Sequence, residues 1–381
     1  MPRGGECETY MNKLKILHIA DMHMDSAFQG LGLGKAVVRR GEQRQLLSRM
    51  AELCEREHVD LVLMSGDLLD SDSSYFETGE ELAASLASIK APVFIAPGNH
   101  DYYSPRSPYA RLKLPENVHI FTKNTIEQME LKRLGVRVYG AAFTDKSSPA
   151  LLTGFAAPRE EGIYNILCVH GEVGAAQSKY NPITVEELAS SGIHYAAFGH
   201  VHKASGLQKA GDTWYSWPGC PEGRGFDELG EKYVNIVELS EEGCTLTQHS
   251  IAHRRYEILK VDVSATEPLL AIHTMLPDET VRDVYRIVLT GETDQAPDLS
   301  SLQYNLSEFF FELQIKDETR IRRNVWERAG EDSLRGIFLE KLKARYDQCS
   351  SDEERLLVEQ AARCGLAALD RGEEVVTHED K

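Results

Sequence analysis

The stretch Leu14-Lys15-Ile16-Leu17-His18-Ile19-Ala20-Asp21-Met22-His23 carries the pattern on which the fold turns. A short apolar run, broken only by Lys15 and His18, reads as a strand covered on both faces. It stops at a carboxylate, and an imidazole follows two residues later. The same pattern returns four times. Leu61-Val62-Leu63-Met64 leads to Gly66-Asp67 and Asp70, and Pro92-Val93-Phe94-Ile95-Ala96 leads to Gly98-Asn99-His100-Asp101. Ile166-Leu167-Cys168-Val169 ends at His170-Gly171, and Tyr195-Ala196-Ala197-Phe198 ends at Gly199-His200 with His202 beyond. Between the early runs lie helical stretches, one from about Glu42 to Glu57 with Leu46, Leu47, Met50, Leu53 and Cys54 at helical spacing, another from about Glu77 to Ile89. Strands alternating with crossover helices predict an α/β protein with at least partly parallel sheets. The polar residues all fall just past carboxyl strand ends, where open α/β sheets build their sites, so five distant segments can meet in one cleft.

After Gly219 the pattern changes. Lys232 to Leu239 and Thr245 to Ile251 alternate like an antiparallel hairpin. From Tyr256 the order reads strand (258–263), helix (269–275), strand (284–289), helix (299–309), strand (310–315), which predicts a small α+β unit. Amphipathic helices over 332–346 and 352–369 and a polar tail from Arg371 close the chain. The expected division is a disordered extension over 1–12, a main domain over 13–253, an α+β domain over 254–330, and helices with a tail over 331–381.

The composition of the 381 residues, 42% apolar and 27% charged, is that of a globular chain. No apolar run approaches the roughly 18 residues of a membrane span. The opening MPRGGECETY lacks the apolar core of a secretory signal. Seven cysteines lie far apart with no CxxC pair, the usage of a reducing cytoplasm, where the chain is expected to reside. The net charge is −18, shared evenly between residues 1–250 and 251–381. That balance opposes tight, salt-driven DNA binding by this chain alone. It does not exclude DNA chemistry, since bound divalent ions reset the local sign. Arg106, Lys113, Arg224, Arg254 and Arg255 are the local basic candidates, and each is equally well a solvated surface residue.

The punctuating residues are Asp21-x-His23, Gly66-Asp67-x-x-Asp70, Gly98-Asn99-His100-Asp101, His170-Gly171 and Gly199-His200-x-His202. Carboxylates, imidazoles and one amide suit Mn²⁺, Fe²⁺ or Zn²⁺ and not a thiolate site. The adjoining glycines fit turns that approach an ion closely. Singly, each histidine is more simply a partly buried residue with a satisfied hydrogen bond; jointly, at the ends of different strands, the ligand reading wins. These five ordered blocks resemble those of the calcineurin-like metallophosphoesterase superfamily. The resemblance implies a four-layer α/β/β/α sandwich core with a smaller C-terminal α+β capping domain. It implies that Asp21, His23, Asp67 and His202 hold one ion, and that Asp67 bridges to a second held by Asn99, His170 and His200. A shared carboxylate offsets the repulsion of two dications about 3.5 to 4 Å apart. It further implies hydrolysis by metal-activated hydroxide, with Asn99 and His100 facing substrate and His100 acting as general acid and charge stabiliser. Asp70 either orients His100 or caps a helix. Asp101 either supports the site or satisfies its own turn. Asp25 and Phe28 are further candidates to face substrate.

Ser71-Asp72 stands where protein phosphatases of this superfamily continue with Arg-Gly. The opening Leu17 to Ser26 is similar to that of the SbcD and YhaO-like exonucleases. The segment Trp217-Pro218-Gly219-Cys220-Pro221-Glu222-Gly223-Arg224-Gly225-Phe226-Asp227-Glu228 resembles that branch's PGSPxxxxFxE, with Cys220 in place of Ser. The expectation is therefore a DNA phosphodiesterase of DNA repair, an exonuclease with possible single-strand endonuclease activity, using two divalent ions, foremost Mn²⁺. The branch implies an SbcC-type coiled-coil ATPase partner and a homodimer, and the absence of a long apolar run leads to the expectation of no membrane. Two alternatives stand beside it: a hydrolase of small phosphodiesters, and a non-catalytic subunit binding DNA ends or a partner.

Overall fold

A computed structural model describes residues 13–71, 76–322 and 325–371. The expected N-terminal extension 1–12 and the tail beyond 371 lie outside the described residues, as does Asp72. Strand alternation explains the layering. In the strand Leu14–Ile19, Leu14 and Ile16 face one core, Leu17 and Ile19 the other, and all four are buried. Leu61, Leu63, Phe94 and Ala96 join Ile16 in a core that also holds Val136, Val138, Tyr164, Ile166, Cys168, Tyr195 and Ala197. Val62, Met64, Val93 and Ile95 point the other way, against Leu46, Leu47, Met50 and Leu53 of the helix Leu33–Arg56 and Leu82 and Leu86 of the helix Phe76–Ser88. Leu167, Val169, Ala196 and Phe198 pack outward on Leu152, Leu188 and Trp217. A period of two with both phases apolar therefore gives two sheets packed face to face, each covered on its outer face.

The first sheet runs Gly243–His249, Val234–Ser240, Leu14–Ile19, Leu61–Met64, Val93–Ile95, Val118–Ile120. Its last four strands are parallel, and the hairpin at the other edge is antiparallel. The second runs Gln208–Ala210, Thr213–Ser216, Tyr195–Gly199, Tyr164–His170, Val136–Gly140, Glu127–Leu131, parallel in its four central strands. Both sheets are mixed and helices flank them, as the α/β sandwich expectation requires. Between them lies one polar island. His18 is fully buried, with Nδ1 2.8 Å from Tyr195 Oη and Nε2 2.8 Å from Ser65 Oγ. Burial holds its imidazole down at about 3, so it is a neutral hydrogen-bonding pin. Ile16→Ala would open a cavity in the inter-sheet core, and a loss of about 2–5 kcal/mol is expected in urea unfolding; a loss well under 1 kcal/mol contradicts this packing.

Two compact units are distinguishable. Among the described residues, the first comprises those of 13–259, 276–287 and 303–315; the second comprises those of 260–275, 288–302 and 316–371. A three-stranded sheet ordered Tyr256–Asp262, Val284–Thr290, Glu312–Asp317 carries the strand–helix–strand order read from the sequence, with helices Pro268–Met275 and Leu299–Leu306. In the second unit the helices Leu334–Tyr346 and Asp352–Arg371 pack on one another through Phe338, Leu339, Leu342, Ala362 and Leu366. Much of their apolar surface is thus spent within the pair, although Leu334, Ile337, Leu356 and Leu357 remain exposed.

Candidate metal centre

The parallel register brings the carboxyl ends of five strands to one edge of the sandwich. Asp21 follows the strand Leu14–Ile19, Asp67 follows Leu61–Met64, and Asn99 follows Val93–Ile95. His170 ends Tyr164–His170, and His200 follows Tyr195–Gly199. The turns are tight. Asp21, His23, Asp67 and His200 adopt φ of 52, 45, 51 and 94°, a left-handed conformation that costs a non-glycine residue about 1–3 kcal/mol each. Backbone bonds hold them there, including Asp21 N–H to Gly66 C=O at 3.0 Å and His23 N–H to Asp67 C=O at 2.9 Å. Side-chain bulk is excluded beside them. A Cβ on Gly98 would fall 2.3 Å from Asp67 Oδ1, and one on Gly66 (φ +94°) would fall 2.6 Å from His170 Nδ1.

Among the described residues, three overlapping groups of side chains could each hold an ion: Asp21, His23 and His202; Asp67, His170 and His200; and His23, Asp67 and His100. Within each group the donor atoms lie within 4.8 Å of one another. Asp67 sits between the first two. Its Oδ1 accepts the His100 backbone N–H at 2.8 Å, and its Oδ2 lies 3.4 Å from His170 Nε2 and 3.8 Å from His23 Nε2. Asn99 Oδ1 lies 3.0 Å from His170 Nε2 and 3.1 Å from His200 Nδ1, which places the amide in the second group. Asp21 accepts the His200 backbone N–H at 3.0 and 3.1 Å, and its Oδ1 is 4.0 Å from His202 Nε2.

Each of these four imidazoles is anchored on its outward nitrogen by an oxygen. His23 Nδ1 lies 3.1 Å from Asp70 Oδ1, His202 Nδ1 2.7 Å from Glu228 Oε1, His170 Nδ1 2.9 Å from Ser65 C=O, and His200 Nε2 3.1 Å from Glu172 Oε1. Carboxylates and carbonyls only accept, so these nitrogens carry the hydrogens and the opposite nitrogens turn inward. Outer oxygens that fix the tautomer are the usual companions of metal-ligating histidines. With imidazole, carboxylate and amide donors converging, the residues fit two closely spaced divalent ions.

The charges agree with that fit. His170 has acceptors at both nitrogens. Burial opposes its charge most, but Asp67, joined by Asp21 and the Ser65 carbonyl, raises it to about 9. Burial likewise opposes ionisation of Asp67, yet His170 and then His23 hold its carboxyl well below the usual range. Burial above all pushes Asp21 up to about 7, against the pull of His170. His23 Nε2 and His202 Nε2 face each other at 3.1 Å. Two lone pairs cannot meet at that distance, so one ring holds a proton. Burial takes His23 down to about 4, while Glu228 outweighs burial at His202 and raises it. A proton thus sits on His170 in the second group and another lies between His23 and His202 in the first, where dications are electrostatically suited.

Asp70 lies between two histidines. Its carboxylate is on His23, while His100 Nδ1 is 3.3 Å from the Asp70 carbonyl and 4.0 Å from Asp70 Oδ1. The reason is local: Asp70 N–H bonds Met24 C=O at 3.0 Å, which draws the Asp67–Asp70 loop along residues 22–25 and delivers the carboxylate to His23. Asp101 does more than satisfy its own turn. Fully buried, it accepts N–H bonds from Gly98, Asp67, Leu68 and Leu69 and the Tyr109 hydroxyl, binding two site loops together. Phe28 is buried beneath the Arg39 guanidinium, 5.0 Å from its ring, and Asp25 accepts the Thr78 hydroxyl at 2.6 Å. Neither belongs to the donor groups. Cys220 is a packed thiol that burial pushes up to about 12. The sequence does not single out Glu228, Glu172 or Ser65 for this role. Glu228 alone carries a signal, as the last residue of the PGSPxxxxFxE-like segment.

Arg254 and Arg255 are committed elsewhere, to Glu42 and to Asp283 and Glu231, and Arg106 and Lys113 are exposed. Arg224 lies at the centre, bonded to Glu228 at 2.8 Å and 3.4 Å from Asp70 Oδ1.

Comparison with known proteins places this geometry. The chain is 27% identical over 336 residues to "Uncharacterized metallophosphoesterase YhaO" of Bacillus subtilis, covering 83% of this chain and 81% of that one. It is 23% identical over 372 residues to "DNA double-strand break repair protein Mre11" of Saccharolobus solfataricus, covering 91% and 94%. It is 21% identical over 379 residues to a subunit of the nuclease SbcCD of Staphylococcus epidermidis, covering 87% and 97%. Residues 14–204, which include all five blocks, match the calcineurin-like phosphoesterase family. On that match, half the length of the chain, it belongs to the calcineurin-like phosphoesterase family.

Proposed function

We propose that this chain is a metal-dependent DNA phosphodiesterase, acting as an exonuclease in DNA repair and on single strands as an endonuclease. The observation that carries the reading is the set of four inward-turned imidazoles, each held from outside by an oxygen, around Asp21, Asp67 and Asn99. Asp21, His23, Asp67 and His202 would hold one ion and Asp67, Asn99, His170 and His200 the other, with Mn²⁺ foremost. Divalent ions in such a pair supply Lewis acidity toward phosphoryl oxygens and make water easier to deprotonate. The chain's own residues do the rest. Asp67 offers one carboxylate oxygen to both groups while the His100 N–H fixes the other. His100, whose side chain is half exposed, would protonate the leaving oxygen.

DNA as substrate is supported by the relatives whose names specify a nuclease and a double-strand break repair protein. An SbcC-type ATPase partner and a homodimer belong to the same proposal. A cytoplasmic setting is supported by six free cysteines among the described residues. A second reading, a small phosphodiester as substrate, is favoured by the net charge of −18 and by the engagement of Arg254 and Arg255 in ion pairs. The deciding assay uses purified chain with Mn²⁺, with and without an SbcC-type partner, on linear duplex, single-stranded DNA and bis-p-nitrophenyl phosphate. Mn²⁺-dependent DNA cleavage abolished by chelator is expected. Turnover of the ester with none of any DNA would give the second reading.

Binding of ions must displace protons. In metal-free protein His170 stays protonated up to about pH 9, and Asp21 is half protonated near pH 7. Mn²⁺ needs both in their deprotonated forms, so at pH 7 binding should release protons, and apparent affinity should rise with pH until about 9. Calorimetry in buffers of different ionisation enthalpy measures the release. Affinity flat between pH 6 and 9, with no buffer dependence, would contradict the charge pattern.

A further inference from the structure

Resting on the phosphodiester reading, we propose that Arg224 is a substrate-binding residue whose guanidinium takes a non-bridging oxygen of the phosphoryl group. One edge of the guanidinium is already fixed. Nε lies 3.3 Å from Glu228 Oε2 and Nη2 2.8 Å from Glu228 Oε1, while the Arg224 backbone N–H also bonds Oε2 at 2.8 Å. This side-on fork sets the plane of the group and leaves Nη1 on the opposite edge. Nη1 reaches only Asp70 Oδ1, at 3.4 Å, beyond the usual range for an N–H···O bond. The 3.3 Å approach of Nη2 to His202 Nδ1 is not a competing bond, because the proton on that nitrogen goes to Glu228.

The underused edge lies against the Asp70 carboxylate, on the side that His100 also approaches. Asp70 Oδ1, its weak partner, is also 3.1 Å from His23 Nδ1 and 4.0 Å from His100 Nδ1. Arg224 and His100 therefore flank the same carboxylate, and the Arg224 side chain keeps 21% of its surface open. Two carboxylates hold a permanent positive charge at this rim in a strongly acidic chain. Burial opposes that charge, but Glu228 and Asp70 outweigh burial and keep the guanidinium protonated. A planar fork with spare N–H groups beside a dication pair matches the tetrahedral oxygens of a phosphate ester, where a lysine would present only a point charge.

The test uses the full chain loaded with Mn²⁺ and inorganic phosphate as probe. Phosphate affinity is read by calorimetry and bound Mn²⁺ by electron paramagnetic resonance. Arg224→Gln is expected to weaken phosphate binding about 10- to 100-fold, the range of one charge-assisted hydrogen bond, with both ions retained. Arg224→Lys should fall between, and it covers the case in which glutamine disturbs the fold. Added guanidinium ion at millimolar concentration should restore part of the affinity in Arg224→Ala. Unchanged phosphate affinity in Arg224→Gln overturns the proposal. Loss of Mn²⁺ from both the Gln and the Lys variant overturns it too, because the residue would then act only through Glu228 and His202. A wild-type chain that binds phosphate in an Arg224-dependent way yet cleaves no diester would sink the phosphodiesterase reading and leave this assignment standing.

Discussion

Asp67→Asn is expected to leave a folded chain that no longer holds two ions together and whose turnover falls by more than the roughly 10- to 100-fold that loss of an outer partner costs. The amide can still accept the His100 N–H on one side, so the turn after the strand Leu61–Met64 should persist. What it cannot supply is the shared negative charge. Asp67 Oδ2 lies within 4 Å of both His170 Nε2 and His23 Nε2, and a neutral group there leaves two dications facing one another unshielded. The variant has a second signature that needs no metal. Asp67 is the main partner lifting His170 to about 9 against burial. In metal-free Asp67→Asn the imidazole should titrate well below that value, as NMR of the ring resonances will show. An unchanged His170 titration would mean that the two side chains do not meet as described.

His100→Leu should separate ion binding from turnover. The ring is half exposed, its backbone N–H serves Asp67, and its Nδ1 lies near the Asp70 carbonyl. Leucine keeps the backbone bond and removes the proton donor. Both ions should remain, and kcat should fall about 10²- to 10⁴-fold, the usual size of a general acid's contribution. The loss should be larger on DNA, whose alkoxide leaving group needs a proton, than on bis-p-nitrophenyl phosphate, whose phenolate does not. The structure also offers the competing outcome. His23, Asp67 and His100 form one of the three groups close enough to hold an ion. Loss of one Mn²⁺ from His100→Leu would make this histidine a ligand.

Much of this site is legible in the chain because its donors are tied to strand ends. Buried strands announce themselves as apolar runs, and polar residues closing five such runs in one chain point together to a shared site, although each alone would not. Asp21, Asp67, Asn99, His170 and His200 stand out in that way. The outer oxygens do not, because nothing in the local sequence of Glu172, Ser65 or Glu228 tells which imidazole they will face. Ser65 acts through its backbone carbonyl, which no sequence pattern marks. Asp70 reads from the sequence as an orienter of His100 or a helix cap; only the pairing of the Asp67–Asp70 loop with residues 22–25 brings its carboxylate to His23. The helix Leu33–Arg56 begins about nine residues before its amphipathic pattern does. Its first turns expose Leu33, Val37 and Val38 and bury Arg39 against Glu42 and Glu222, the reverse of the usual amphipathic pattern. That inversion depends on a partner segment 183 residues away, which periodicity cannot see.

Side chains from five segments are expected to grip two divalent ions with Asp67 between them. Anomalous diffraction at the manganese edge from Mn²⁺-soaked crystals tests it directly. Two peaks per chain are predicted, one beside Asp21, His23 and His202 and one beside Asn99, His170 and His200, with the Asp67 carboxylate touching both. A single peak, or two peaks with Asp67 on neither, would rule out a carboxylate-bridged pair of ions.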